Sequence, residues 1–304
     1  MKVAIIGAGA MGSLFGALMA EAGTDVWLLD VRAEQVKAIE ENGLIVETDG
    51  QTRTVPVRAT VDPEQIGAAD LTILFVKSMH TRPAAKTAAS VAGPSGAVLT
   101  LQNGIGNAEI IAELVGPGRT LAGTTAHGAT ALGPGRIRHA GRGPTKIGPW
   151  ADFDAKRLRK IAAMLKRSAI STEITADVRS ALWGKLLINV GINAITALTG
   201  IRNGQILDLE ATRKLSRAAV AEAMAVARAR RIEVPENAAE HVLEVAAATG
   251  ANRSSMGQDV DHRRQTEIRA INGAVVDEGR HCGIETPVNQ ALTALIETLQ
   301  AHYG

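Results

Sequence analysis

Cysteine, aromatic residues and net charge are all scarce in this 304-residue chain, and each scarcity removes a class of function. Cys282 is the single cysteine, so no intrachain disulfide can form, and a reducing, cytoplasmic setting is the expectation. Phe, Trp and Tyr together make up 2% of the residues, too few for the stacking platforms that hold single-stranded nucleic acid. A net charge of +2 offers no electrostatic footprint for DNA or for a membrane surface. Long uncharged hydrophobic runs are also missing. No stretch approaches the ~18 uncharged apolar residues of a membrane span, and the run at residues 3–6 is too short for a signal-peptide core. There is no internal repeat, no low-complexity linker and no metal-ligand spacing. A soluble composition remains, 46% hydrophobic and 21% charged, with its apolar mass mostly in Ala, Val, Ile and Leu.

The length favours two domains. In the first half, short apolar runs at 3–6, 26–29, 71–76, 97–101 and 120–123 alternate with amphipathic stretches such as 11–22, 33–42 and 107–114. That alternation implies parallel strands joined by right-handed crossover helices. Residues 43–58, centred on Asp49-Gly50, read as a β-hairpin inserted into the pattern. Residues 133–148, rich in glycine and proline, read as loops and short strands, and 154–174 as one more helix and strand. Beyond about residue 176 the pattern becomes almost wholly helical, with long segments at 178–198, 210–231, 262–282 and 287–301. The expected architecture is an N-terminal Rossmann α/β dinucleotide-binding domain over 1–176, followed by an all-helical substrate domain over 177–304.

Gly7-Ala8-Gly9-Ala10-Met11-Gly12 is a GxGxxG that directly follows the first strand and opens a helix. Gly7 permits the tight turn, Gly9 lets a pyrophosphate approach the backbone, and Gly12 lets helix and strand pack closely. The helix N-terminus then presents free N–H groups to phosphates, which brings Ala10 and Met11 into the cofactor set. The second strand ends at Asp30, eighteen positions after Gly12. An acid there bonds a ribose 2′-hydroxyl and favours NAD, whereas a nearby arginine, here Arg32, accommodates the 2′-phosphate of NADP. Both residues are present, so either cofactor fits.

Further along, Lys185, Asn189 and Asn193 are spaced i, i+4, i+8 within a helical pattern. At 100° per residue they fall within about 80° of one another, a polar stripe amid Leu186, Leu187, Ile188, Val190 and Ile192. An exposed polar face explains such a stripe as well as a ligand site does. Buried, the same stripe would need partners or a polar ligand. A second cluster runs from Asn252 through Arg253, Ser254 and Ser255 to Asp259, then Arg263, Thr266 and Glu267. It suits recognition of a small hydroxylated anion, or equally helix capping and local ion pairs. Lys77 and Gln102-Asn103-Gly104 follow strands at the carboxyl edge where α/β sheets present ligands, with His80 and His127 nearby.

Taken in order, these motifs resemble the ketopantoate reductase family over essentially the whole chain. They are the amino-terminal GxGxxG, Val76-Lys77, Gln102-Asn103-Gly104, Lys185 with Asn189 and Asn193, and Ser254-Ser255-Met256 continuing through Gln258-Asp259, Thr266-Glu267-Ile268 and Asn272-Gly273. The resemblance implies reduction of 2-dehydropantoate to (R)-pantoate by NADPH, in pantothenate and coenzyme A biosynthesis, with Lys185 as proton donor. It further implies substrate contacts at Asn103, Asn189, Asn193, Asn203, Asn252, Ser254 and Ser255. Lys77, Asn103, Ala129 and Glu267 would lie around cofactor and substrate. Two positions depart from the family: Val31 replaces an arginine after the second strand, and His80 stands where glutamine is usual.

The expected partner is a small 2-keto acid; neither nucleic acid, membrane nor metal is expected. Dimers are the commonest assembly, so a homodimer is the default expectation. An NAD-dependent reductase of another branched or aromatic 2-keto acid is the rival within enzymes. A non-catalytic dinucleotide sensor is the rival outside them, disfavoured because a sensor needs no proton donor.

Overall fold

The computed structural model describes residues 1–303, which divide into two compact units: Met1–Gln102 with Asn107–Val178, and Asn103–Gly106 with Arg179 onward. The first unit begins with β1 (Lys2–Ile6), α1 (Ala10–Glu21), β2 (Asp25–Leu29) and α2 (Ala33–Asn42). β3 (Leu44–Thr48), β4 (Gln51–Val55), β5 (Arg58–Thr60), β6 (Leu71–Leu74), α3 (Thr81–Val91), β7 (Ala97–Thr100), α4 (Asn107–Val115) and β8 (Thr120–Thr125) follow. β9 (Gly128–Gly133), β10 (Arg136–Gly141), β11 (Thr145–Pro149), α5 (Ala155–Arg167) and β12 (Thr172–Ile174) complete it.

Eight strands form the main sheet in the order β12-β11-β8-β7-β6-β1-β2-β5, parallel throughout except where β11 meets β8. β1 lies at its heart. Val3, Ala4, Ile5 and Ile6 are all buried because helices cover both faces of a parallel sheet, and this is why the strand reads as an unbroken apolar run. After β1 the chain adds β2 on one side and later β6 on the other, so the order reverses between β1 and β6. Open α/β sheets form a ligand crevice outside the carboxyl ends of strands at such a reversal.

The expected hairpin is present, with Asp49 at φ 51° and Gly50 at φ 79° forming its turn, but it does not enter the main sheet. β3 instead pairs in parallel with β10, giving a separate sheet of order β4-β3-β10-β9. Val46, Val55 and Ile137 of this sheet join the core that surrounds Leu14, Phe15 and Met19 of α1. The second sheet thus completes the packing of the helix that follows the glycine turn.

The second unit is built from α6 (Val178–Thr199), α7 (Glu210–Ala229), α8 (Ala238–Ala248), α9 (Ser255–Asp261), α10 (Asn272–Cys282) and α11 (Pro287–Ala301). Two sequence expectations need correction. The helix read over 262–282 is interrupted, because Arg263 takes φ 50° and the chain reaches α10 only through a short 3-10 turn at Ile268–Ala270. The Thr266 N–H and hydroxyl bond to Gln300 rather than to a helical ladder, which is how a threonine competes with helix. Second, α6, 22 residues long with an 18-residue stretch of mean hydropathy 1.4, is long and apolar enough to cross a membrane by length and composition. It is the central helix of this unit, with Leu186, Leu187, Val190 and Ile195 buried among neighbouring helices.

A buried polar knot fastens that core. Glu222 on α7 accepts from the backbone N–H groups of Val288 (2.8 Å) and Asn289 (2.9 Å), satisfying donors of the first turn of α11. The Asn289 amide donates to Glu222 and to the Ala219 carbonyl, and its oxygen accepts from Asn272 on α10 at 2.9 Å. The carboxylate thus bridges α7 and α11, and α10 joins them through Asn289. Glu222→Ala should lower unfolding free energy by roughly 1.5–3 kcal/mol, the range for bonds to a charged acceptor, while Glu222→Gln should recover part of the loss. Urea denaturation of the three proteins checks this, and an unchanged midpoint in the alanine variant would show that the knot is not stabilising.

Candidate active site

At the reversal between β1 and β6 the three motif glycines have three separate reasons. Gly7 takes φ +97°, and a Cβ there would come within 2.8 Å of the Val76 nitrogen, so only glycine allows the turn against the end of β6. A Cβ on Gly12 would stand 1.9 Å from the Gly7 carbonyl oxygen, which fixes how closely α1 approaches β1. Gly9 is different: a Cβ there would meet nothing within 4 Å. No part of the protein requires that glycine, and the open space lies at the N-terminus of α1, where unpaired N–H groups favour an anion. The residues fit a dinucleotide pyrophosphate.

The loop is held by side chains from β2, α1 and α2. The Ala8 N–H donates to Asp30 at 2.8 Å, while the Ala8 carbonyl accepts from Gln35 (2.7 Å) and Ser13 (3.0 Å). Asp30 also accepts from the Arg32 backbone and guanidinium at 3.0–3.1 Å. Burial opposes ionisation of Asp30, but the bonds from Arg32 and Ala8 outweigh it and hold the carboxyl below its ordinary value. Arg32 remains half-exposed and Val31 is almost fully exposed. Ala10 and Met11 form the first turn of α1, partly exposed beside Gly9.

Gln102 braces the neighbouring strand ends. Its amide donates to the Val76 carbonyl and the Thr81 hydroxyl, both at 2.8 Å, fixing the approach to Lys77. Lys77 itself is half-buried and begins the short turn containing His80, which is exposed. Ala129 lies on β9, packed against the sheet-unit core. His127 is a core residue: its ring meets Phe15 edge-on and its Nδ1 lies 3.2 Å from His139 Nε2. Burial pulls its pKa down, aided by His139 and Arg142, which favours the neutral ring. Gln102 stands where the sequence placed it, at the carboxyl edge of the sheet, whereas Gln35 carries no sequence signal beyond a glutamine beside Val36 and one turn from Ile39 on a largely polar helix.

In the helical unit, α6 carries Lys185, Asn189 and Asn193 along one side, the first two half-buried and the last 5% exposed. The polar stripe is therefore not a solvated face. Loss of solvent lowers the Lys185 pKa from 10.5 to about 8, with the Glu267 carboxylate opposing the fall. Glu267 Oε2 accepts from the Asn103 amide at 3.1 Å. Asn103 belongs to this unit with Gly104, whose φ of +80° and lack of Cβ admit the Ala270 carbonyl; the Ile105 N–H donates to that carbonyl at 3.0 Å.

Asn189 Nδ2, Asn193 Nδ2 and Asn203 Oδ1 are buried with no hydrogen-bond partner in the protein. Each such group costs about 1–3 kcal/mol if left unpaired, which makes these three atoms candidates for contact with a polar ligand. Asn203 is oriented by its own amide donating to Thr249 (3.0 Å) and by its N–H donating to the Asn252 carbonyl (3.0 Å). Asn252 is exposed and reaches this cluster through backbone. Ser254 caps α9, its hydroxyl accepting from Gly257 N–H and from Thr196, whereas Ser255 in the first turn is exposed. Arg253, read from sequence only as part of the cluster, donates to the Thr196 and Ile201 carbonyls and pairs with Asp261, tying α6 to α9. Among the described residues no group of three or more His, Cys, Asp or Glu could hold a metal ion.

Comparison with known proteins converges on one family. Residues 3–152 match the model for ketopantoate reductase PanE/ApbA, and 177–300 match its C-terminal counterpart. A 2-dehydropantoate 2-reductase of Halobacterium salinarum is 38% identical over 301 residues, covering 99% of each chain. The crystal structure of a ketopantoate reductase of this family from Ralstonia eutropha superposes with a TM-score of 0.92 at 34% identity, over 100% of this chain and 99% of that one. A D-mandelate dehydrogenase in ternary complex with NADH and anilino(oxo)acetate superposes with a TM-score of 0.93 at 28% identity, over 100% and 99%.

The glycine geometry makes opposite demands at two positions. Gly9→Val should fold with a loss of at most about 1 kcal/mol, since it faces open space, yet lose most dinucleotide affinity. Gly12→Ala should be destabilised outright by its clash with the Gly7 carbonyl. Thermal melts with and without dinucleotide separate the two, and a folded Gly9→Val protein with unchanged affinity would remove the phosphate site from this loop.

Proposed function

Because the chain belongs to the ketopantoate reductase family, we propose that it reduces 2-dehydropantoate to (R)-pantoate, with NADPH preferred over NADH. The carrying observation is a desolvated lysine on the same helix as two buried asparagine amides that lack partners. Gly7, Gly9, Gly12 and the first turn of α1 would hold the dinucleotide, whose reduced nicotinamide supplies a hydride to C2 of the keto acid. As C2 is reduced, negative charge grows on its oxygen. The Lys185 ammonium stabilises that oxygen and transfers its proton to it, completing the hydroxyl. Asn189 and Asn193 offer donors to the substrate carboxylate, and Asn203 Oδ1 offers an acceptor to its terminal hydroxyl. Glu267 keeps the ammonium charged.

A general acid works best with a pKa near the operating pH, and a lysine at about 8 meets that condition where one at 10.5 would not. The second reading is reduction of an aromatic or other branched 2-keto acid with NADH. It is favoured by Asp30 at the end of β2 and by the likeness to the NADH-bound D-mandelate dehydrogenase. Turnover of 2-dehydropantoate and benzoylformate with each cofactor distinguishes the two.

Lys185→Ala should lower kcat by roughly 10²–10⁴-fold with dinucleotide affinity retained. Lys185→Arg should restore the charge but not the rate, because a guanidinium yields its proton too reluctantly. Near-normal turnover in the alanine variant would exclude Lys185 from the chemistry.

Arg32 is proposed to serve the 2′-phosphate of NADPH, exchanging its bond to Asp30 for charge-assisted bonds to phosphate. Arg32→Ala should then reduce the NADPH:NADH ratio of kcat/KM by about tenfold, equivalent to ~1.4 kcal/mol. A ratio that stays within about twofold of wild type, well under that tenfold step, would mean Arg32 does not read the ribose.

A further inference from the structure

Glu267 occupies a segment that no regular element supports. Between the end of α9 at Asp261 and the start of α10 at Asn272, the chain passes through Arg263 at φ 50° and a single 3-10 turn. Backbone of this kind holds its place only if something else fixes it. The last two turns of α11 do so. Gln300 Oε1 accepts from both the Thr266 N–H (3.1 Å) and the Thr266 hydroxyl (3.0 Å). That hydroxyl in turn accepts from the Ile268 N–H at 3.3 Å, so the bonds bracket Glu267 on both sides. One helical turn earlier, Glu297 pairs with Arg269 of the same segment. Thr266 is 3% exposed and Ile268 fully buried, so the bracket is sheltered from competing water.

We propose that Gln300 is a positioning residue for proton donation: through Thr266 it holds Glu267 where its carboxylate acts on Lys185. The inference rests on the reading of Lys185 as proton donor. Coulombic interaction falls with separation, so a Glu267 released from its bracket supports the Lys185 charge less. Among the described residues Glu267 is the charged group that acts on Lys185, while the neighbouring Arg269 is engaged by Glu297. Gln300 touches no reacting atom, and its whole effect passes through the 266–268 backbone.

The test is the pH dependence of kcat/KM for 2-dehydropantoate in wild type, Gln300→Leu and Gln300→Glu, with Lys185→Ala measured first. Leucine removes the acceptor; glutamate keeps an oxygen that can accept both bonds from Thr266. In Gln300→Leu the alkaline limb should move to lower pH by about half a unit or more, roughly threefold in protonated lysine on that limb, with KM for the dinucleotide unchanged. Gln300→Glu should return the limb to the wild-type position. Should Gln300→Leu not fold, Thr266→Val, which keeps the N–H bond and loses the hydroxyl, should show the same displacement in smaller degree. A limb that stays in place in a folded variant, whatever happens to melting temperature, overturns the proposal. If Lys185→Ala turns over normally, the proton-donor reading fails instead, and the two failures are distinguishable.

Discussion

A charged ammonium that has lost most of its water is the constraint around which the helical unit is arranged. Taking Lys185 out of solvent disfavours its charged form, and without an opposing charge its pKa would fall further. The opposing influence is one carboxylate, Glu267, itself tied to Asn103. The balance, a pKa of about 8, leaves the group mostly protonated at neutral pH, as the proposed proton donation requires. Much of the surrounding architecture serves that balance. Asn103–Gly106 groups with the helices because Gly104 admits the Ala270 carbonyl, which carries Asn103 to Glu267.

The sheet unit meets a complementary requirement, the approach of an anion to bare backbone. Two of its three motif glycines are demanded by the protein's own packing, and the third faces open space. Asp30 belongs to this loop as much as to cofactor choice: by accepting from the Ala8 N–H it fixes the turn whose neighbours would receive a pyrophosphate. Its carboxylate thus has a structural occupation that a reading of cofactor preference from the residue type alone overlooks.

What was legible from sequence was local in origin. The parallel strands, the glycine turn and the Lys185-Asn189-Asn193 stripe are encoded by patterns within one or two elements, where period and burial coincide. Contacts between distant residues left no such pattern. The hairpin at residues 44–55 was recognisable, but its partnership with β10, some ninety residues later, was not. The interruption near Arg263 was hidden because residues 262–282 are amphipathic enough to read as one helix, and the bonds from Thr266 to Gln300, thirty-four positions away, leave no local pattern. Helical periodicity likewise could not tell a solvated stripe from a buried one; the unpartnered amides of Asn189 and Asn193 do.

The ionisation of Lys185, on which the proposed chemistry depends, can be followed without turnover. Titration of isotope-labelled lysine side chains by NMR, with Lys185→Ala to assign the resonance, reads it directly. The Lys185 resonance should titrate near 8 and should move lower still in Glu267→Gln. A Lys185 resonance that titrates at the ordinary lysine value of 10.5, or that ignores the loss of the Glu267 charge, would contradict this arrangement.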